Sequence, residues 1–135
     1  MVKAIDADGA VLGRLASVVA KELLCGEKVV VVNAGRSVIS GKSSSVKERY
    51  SKRTRRGSIH KGPFYPKRSD MIMRRAVRGM LPKNKRGRDA LKNLRIHVDC
   101  PEEYAEAEKT GKGVDDLSCR FMRLGDVAKH LGGKV

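Results

Sequence analysis

Aromatic residues are scarce in this chain of 135 residues, and tryptophan is absent. Two phenylalanines and three tyrosines are too few for the stacking platform of a typical single-strand nucleic-acid binding protein. No apolar run approaches the roughly 18 residues that indicate a membrane-spanning helix. The amino terminus also lacks the apolar core of a signal peptide. These absences predict a cytoplasmic protein that does not contact a membrane.

Cysteine is rare as well, and the residues of catalysis are not grouped. Cys25, Cys100 and Cys119 are odd in number and lack CxxC spacing, so we expect free, buried or half-buried thiols and neither a disulfide nor a zinc site. There is no GxGxxG dinucleotide motif, and no histidine has a serine or cysteine partner that spacing can assign. We therefore expect no enzyme activity, cofactor, metal or small-molecule substrate.

Acidic residues are nearly missing from the middle of the chain. Between Lys42 and Arg95 there are 19 Lys and Arg residues and three acids, a net charge of +16. The remaining residues carry 11 cations and 12 acids, a net charge of −1. A surface that only aids solubility normally mixes the two signs. The segment therefore indicates binding to a polyanion, and nucleic acid is the first candidate.

RNA fits this segment better than DNA. The segment lacks a recognition helix that carries several base-reading side chains on one face. Lys and Arg on a stretch interrupted by glycine and proline suit the backbone and shape of a folded RNA. A DNA-compacting basic protein remains an alternative.

The first 41 residues alternate between the patterns of strand and helix. Lys3 to Asp6 predicts a strand, and apolar residues at helical spacing from Leu12 to Leu23 predict a helix that Gly26 closes. Lys28 to Val32 contains four consecutive valines, which is typical of a central strand covered on both faces. Strand, helix and buried strand form a βαβ unit, so the fold class is α/β. Val38-Ile39 adds a short strand.

The basic stretch from Arg74 to Arg88 begins with a helical pattern. At about 100° per residue, three arginines share one arc and the apolar residues share the opposite one: Arg74, Arg75 and Arg78 against Ile72, Met73, Ala76, Val77 and Met80. Ser69-Asp70 predicts the N-cap, and Pro82 ends the helix. We expect a loop with four cations next, then a short helix at 89–91 and a last sheet strand at 95–98. The loop cations are Lys83, Lys85, Arg86 and Arg88.

Gly35 to Ser43 resembles a P-loop, GxxxxGK[ST]. Two features argue against it: five residues separate the two glycines of the near-match, and Arg36 stands where the first motif glycine would be. A small P-loop-like nucleotide hydrolase is therefore only an alternative. Gly41-Lys42-Ser43 can still hold a backbone phosphate of RNA without turnover.

The chain predicts a single domain over 1–135. An α/β core comprises about 1–41 and 69–98, and a basic extended or helical insertion of about 42–68 interrupts it. We expect a short helix near 44–54 in this insertion, and partial mobility of the insertion before RNA binds. An acidic segment and a C-terminal helix at Leu124–Leu131 fill 99–135.

Several ordered motifs resemble the ribosomal protein L13 family of the large subunit. The main one runs from Val77-Arg78-Gly79-Met80-Leu81-Pro82 through Arg88 to Ile96. Leu12 to Ala16, and Ile39-Ser40-Gly41 after the valine strand, match the same family in the same order. The resemblance covers about 1–98. The short amino terminus and the insert at 52–66 are similar to the archaeal and eukaryotic branch.

The resemblance implies a three-layer α/β/α domain on a small, mostly parallel sheet. It also implies a non-enzymatic role in the large subunit, with rRNA and neighbouring ribosomal proteins as partners and a part in subunit assembly. We expect no homo-oligomer. Motif match and charge together predict these RNA-binding residues: Lys42, Lys47, Arg49, Lys52, Arg53, Arg55, Arg56, His60, Lys61, Lys67, Arg68, Arg74, Arg75, Arg78, Lys83, Lys85, Arg86 and Arg88.

Overall fold

Strands and helices follow one another along the chain, and the strands of the central sheet are parallel. The structure, a computed structural model, describes residues 2–57, 60, 62, 64–109 and 119–132. Its strands and helices are β1 (Val2–Asp6), α1 (Leu12–Leu24), β2 (Lys28–Val32), β3 (Val38–Ser40), α2 (Ser43–Arg55), α3 (Ser69–Met80), α4 (Lys85–Leu91), β4 (Leu94–Ile96), β5 (Glu108–Lys109), β6 (Phe121–Arg123) and α5 (Leu124–His130). Two short 3-10 helices lie at Ala34–Arg36 and Glu102–Tyr104.

A four-stranded parallel sheet in the order β4-β2-β1-β5 forms the centre of the fold. β2 lies inside this sheet, and its residues from Val29 to Val32 are all buried. Val29 and Val31 belong to the core cluster that α1 and α3 share, while Val30 and Val32 are buried on the opposite face. The predicted α/β class and the predicted central strand are confirmed.

The first helix forms and ends as its sequence predicts. Leu12, Leu15, Val19 and Leu23 are buried at helical spacing. Gly26 has a φ of 88°, and its N–H donates to the Leu23 carbonyl at 3.0 Å, while the N–H of Glu27 donates to the Glu22 carbonyl at 3.4 Å. This pair of bonds is a Schellman motif, which satisfies carbonyls at the helix end and needs a left-handed residue.

The carboxyl-terminal part of the chain adds two strands that were not predicted. The strand predicted at 95–98 is β4, but it is not the last one. β5 pairs with β1 at the sheet edge, and β6 pairs with β3 in a separate antiparallel sheet. α5 follows β6 at once, confirming the predicted C-terminal helix, and packs against α2, α3 and the 3-10 helix at Ala34–Arg36. Gly125 permits this approach, since a Cβ there would lie 2.9 Å from the Gly35 carbonyl oxygen.

The predicted N-cap of α3 is wrong. Arg68 occupies that position in an extended conformation, without a capping side chain. Ser69 is the first helical residue, and its buried hydroxyl has no hydrogen-bond partner among the described residues. The Asp70 carboxylate accepts from the N–H of Met71 at 2.8 Å. Asp70 therefore acts in the first helical turn, where a negative charge is favourable.

The loop predicted for Lys83 to Arg88 is in large part a helix. α4 begins at Lys85, and Asn84 caps it by accepting from the N–H of Gly87 at 3.0 Å. Lys85, Arg86 and Arg88 consequently stand on a rigid element. Helix α2, by contrast, occupies Ser43–Arg55 close to its predicted bounds.

Two predictions of burial are also wrong. Met80, assigned to the apolar arc of α3, is 45% exposed at the last position of the helix. The three cysteines are free thiols as predicted, but all three are exposed.

Candidate nucleic-acid interface

Most of the predicted RNA-binding residues lie on α2, α3, α4 and the chain that joins them. We call the described cations from Lys42 to Arg88 the basic surface. Three of these side chains are half-buried, namely Lys47, Arg74 and Arg75, and the others are exposed. His60 is also exposed. Lys61, which was predicted to bind RNA, lies outside the described residues.

The three acids of this region are all used in ion pairs, two of them exposed and one with a half-buried carboxylate, that of Asp70. Glu48 pairs with Lys52 at 3.3 Å, Asp70 with Arg68 at 3.3 Å, and Asp89 with Lys92 at 3.7 Å. Exposed pairs of this kind contribute little stability. Within the described parts of 42–95, no other cation has a carboxylate partner within ion-pair distance. The basic surface therefore keeps most of its positive charge.

Helix α2 is attached to the core by two side chains. Val46 and Tyr50 are buried and lie one turn apart on the same side of the helix. The cations of α2 stand on the remaining sides, and three of them are in its last turn: Lys52, Arg53 and Arg55. Cations at a helix carboxyl end are favourable, since the partial charge there is negative. This basic helix is thus compatible with the fold despite its like charges.

Tyr65 joins α2 to α3. Its ring lies 6.0 Å from that of Tyr50, and the guanidinium groups of Arg53 on α2 and Arg75 on α3 lie 5.7 and 5.4 Å from its centroid. Arg75 also donates to the Phe64 carbonyl at 3.2 Å. Burial raises the pKa of the Tyr50 hydroxyl, and the positive charges of Arg53 and Arg49 partly oppose this. Cation–π contacts therefore hold two arginines in place between the helices.

If the basic surface binds RNA as the sequence predicts, replacing Tyr65 with Ala should weaken that binding by about three- to tenfold without changing its salt dependence. The reason is that all charges remain while Arg75 loses the ring that positions it, a contact of roughly 1 kcal/mol. Arg53 keeps its contact with the Tyr50 ring, whose centroid is 5.0 Å away. Filter binding at several salt concentrations measures both quantities. Tyr104→Ala is the matched control, because Tyr104 stacks on His97 and none of the described arginines lies over its ring. Equal losses in the two variants would contradict the assigned role of Tyr65.

Two of the predicted RNA-binding arginines also hold the fold together. Arg74 donates to the carbonyls of Leu94 at 3.0 Å and Leu91 at 3.3 Å. Arg86 donates to the Leu24 carbonyl at the end of α1, at 3.3 Å. The spacing of the arginines in the sequence could not reveal these contacts, because their partners are backbone atoms of other elements.

A groove between α3 and α4 brings four cations together. It encloses about 700 Å³, and we call it the α3–α4 groove. Its lining comprises Arg75, Arg78, Lys83 and Arg88 with Gly79, Leu81, Pro82, Gly87 and Leu91. A smaller cavity of about 240 Å³ shares Arg75, Arg78 and Leu91, and adds the exposed Phe64 and Met71. Among the described residues that line the two spaces there is no acid.

The P-loop-like stretch does not form a phosphate-wrapping loop. Ala34–Arg36 is a 3-10 helix and Val38–Ser40 is strand β3, so regular structure occupies the space between the glycines. Lys42 precedes α2 and is exposed. Within the described ranges, no three His, Cys, Asp or Glu side chains are grouped closely enough to hold a metal. None of the helices described there has the length and apolar character to cross a membrane.

Comparison with known proteins decides the family. The family model described as ribosomal protein L13 matches residues 1–103. The chain belongs to the ribosomal protein L13 family. It is therefore a ribosomal protein of the large subunit, and its predicted location in the ribosome of the cytoplasm is confirmed.

The relatives of this L13-family chain include archaeal proteins called large ribosomal subunit protein uL13. The one from Natronomonas pharaonis is 48% identical, and the alignment covers 97% of this chain and 91% of the relative. The one from Methanococcoides burtonii is 46% identical, and the alignment covers 96% of this chain and 97% of the relative. The one from Methanopyrus kandleri is 45% identical, and the alignment covers 95% of this chain and 85% of the relative. The predicted likeness to the archaeal type is confirmed, and it extends past residue 103 into β6 and α5.

Proposed function

We propose that this chain binds large-subunit rRNA through its basic surface. In this role it is a non-catalytic constituent that supports subunit assembly and translation, beside other ribosomal proteins of the large subunit. The observation that carries the proposal is the charge of the basic surface: its few acids are paired, and most of its cations face solvent without a carboxylate partner among the described residues.

The binding free energy follows from that charge. Each phosphate that a Lys or Arg neutralises releases condensed counterions, so affinity falls steeply as salt rises. Helices α2, α3 and α4 hold the cations at fixed positions, and this favours a folded RNA whose phosphates are also fixed. Binding of this kind requires none of these residues to change its ionisation state or to form a covalent bond.

The double variant Arg78→Ala/Lys83→Ala should weaken rRNA binding and flatten its salt dependence. Both side chains are exposed on the rim of the α3–α4 groove. If each neutralises one phosphate, the slope of log affinity against log salt decreases in magnitude by roughly 1.4 to 1.8. Filter binding of an in vitro large-subunit rRNA transcript between about 50 and 200 mM salt measures that slope.

A charge-matched control separates position from total charge. Lys21→Ala/Lys28→Ala also removes two exposed cations, but from α1 and β2 outside the basic surface. Its slope should equal that of the wild type. Equal slopes for all three proteins would contradict binding through the basic surface, and equal decreases in both variants would indicate a response to net charge alone.

A further inference from the structure

We propose that the α3–α4 groove receives one unpaired nucleotide of the RNA, with the base on the groove floor and the flanking phosphates on its rim. This inference rests on the proposed rRNA binding and goes further by naming the part of the RNA that the groove recognises. The geometry that points to it is an apolar floor with cations on its rim.

The floor of the groove suits a flat apolar group. Leu81 is 6% exposed, and Pro82 and the half-buried Leu91 line the groove beside it. A volume of about 700 Å³ is within the range of small-molecule sites. A phosphate alone would need only the cations and would gain nothing from the leucines. The floor therefore indicates that a base or sugar enters the groove.

The rim of the groove suits the phosphates on either side of that base. The rim is lined by Arg75, Arg78, Lys83 and Arg88, with no acid among the residues that the structure describes there. The guanidinium of Arg75 is already held by the Tyr65 ring and the Phe64 carbonyl. Such a fixed, planar cation can bind a phosphate or stack on a base without further ordering.

A third feature favours RNA over an acidic peptide as the occupant. Phe64 is 67% exposed and Met71 is 44% exposed, and both line the cavity next to the groove. Proteins recognise unpaired RNA bases by stacking them on aromatic rings and guanidinium planes. An acidic peptide would use the cationic rim but not this apolar neighbour. A base that is still paired in a helix cannot reach the floor, so the nucleotide must be unpaired.

Gly79 offers a test that fills the groove and removes no charge. It lies on α3 in the groove lining, and no atom is within 4 Å of a Cβ built there. Leucine in place of Gly79 would occupy the groove, and the helix should tolerate it because leucine is the better helix former. Gly13→Leu is the matched control: Gly13 is an exposed helical glycine of α1, also with no atom within 4 Å of a Cβ.

We expect Gly79→Leu to bind the large-subunit rRNA transcript about tenfold more weakly than the wild type, the loss of one stacked base. The salt slope should be unchanged. Chemical probing should find one base that the wild type and Gly13→Leu protect but that Gly79→Leu leaves reactive. Thermal unfolding should show that neither variant is less stable than the wild type.

The alternative outcomes are distinct. If Gly79→Leu binds as tightly as the wild type and protects the same bases, the groove proposal is overturned while rRNA binding stands. That result would also be expected if an acidic peptide were the occupant. If the wild type itself does not bind the transcript, the proposed function is overturned together with this inference.

Discussion

Gly87→Ala should lower the melting temperature by on the order of 10 °C, or prevent folding. A Cβ at Gly87 would penetrate the carbonyl oxygen of Pro82 and would lie 2.8 Å from its carbonyl carbon and 3.2 Å from its nitrogen. These are backbone atoms at the corner between α3 and α4, so they cannot rotate away as a side chain could. We expect a loss of about 3 kcal/mol, since overpacking against a fixed neighbour costs about that much.

The matched control for Gly87→Ala is Gly79→Ala. Gly79 lines the same groove, but a Cβ there meets no atom within 4 Å. Because alanine is the better helix former by up to about 1 kcal/mol, this variant should be as stable as the wild type or more so. Circular dichroism during heating measures the melting temperatures of both variants. Equal melting temperatures for the two variants would show that α4 does not pack on Pro82 as closely as described.

Leu124→Ala should reduce the free energy of unfolding by about 3 kcal/mol. Leu124 is fully buried at the start of α5, and its N–H donates to the Ser37 carbonyl at 2.8 Å. Truncating the side chain leaves a cavity between α5 and the rest of the core, and the hydrogen bonds on either side limit how far that cavity can collapse. Urea unfolding followed by circular dichroism gives the loss directly.

Met80→Ala serves as the control for Leu124→Ala. The methionine is of similar size but is 45% exposed at the end of α3, so its truncation should change stability by no more than about 0.5 kcal/mol. Because α5 packs against α2, Leu124→Ala should also make Ser43–Arg55 easier for a protease to cleave, while Met80→Ala should not. Equal cleavage of α2 in both variants would indicate that α5 does not support it.

Elements with long, repeated patterns were predictable from the sequence. α1 contains several turns of apolar spacing and is followed by a glycine of the kind that often ends a helix, and β2 is a continuous valine run. The cationic face of α3 is predictable from the spacing of its arginines. Arg78 is exposed, as its position on the arginine arc predicts. In these segments the local pattern and the tertiary packing favour the same structure.

Other features depend on partners that are distant in the chain. β5 and β6 have two and three residues, too few for a pattern to emerge, and only β1 and β3 make them strands. No pattern in the sequence predicts that the rings of Tyr50 and Tyr65 contact each other and connect two basic helices. The N-cap of α4 is not predictable in this way. The cations on both sides of Asn84 indicate a loop more strongly than one asparagine indicates the start of a helix.

The pairing of β3 with β6 has a consequence for synthesis. Val38 pairs with Arg123, so β3 leaves the translating ribosome long before its partner exists. At about 5–20 residues per second, the interval is on the order of ten seconds. During that time the hydrogen-bonding edge of β3 is open, and open edges are where chains pair wrongly. The nascent chain can mispair at this edge for a time that depends on the number of residues between the two strands. The strength of the β3–β6 pairing matters less for that time.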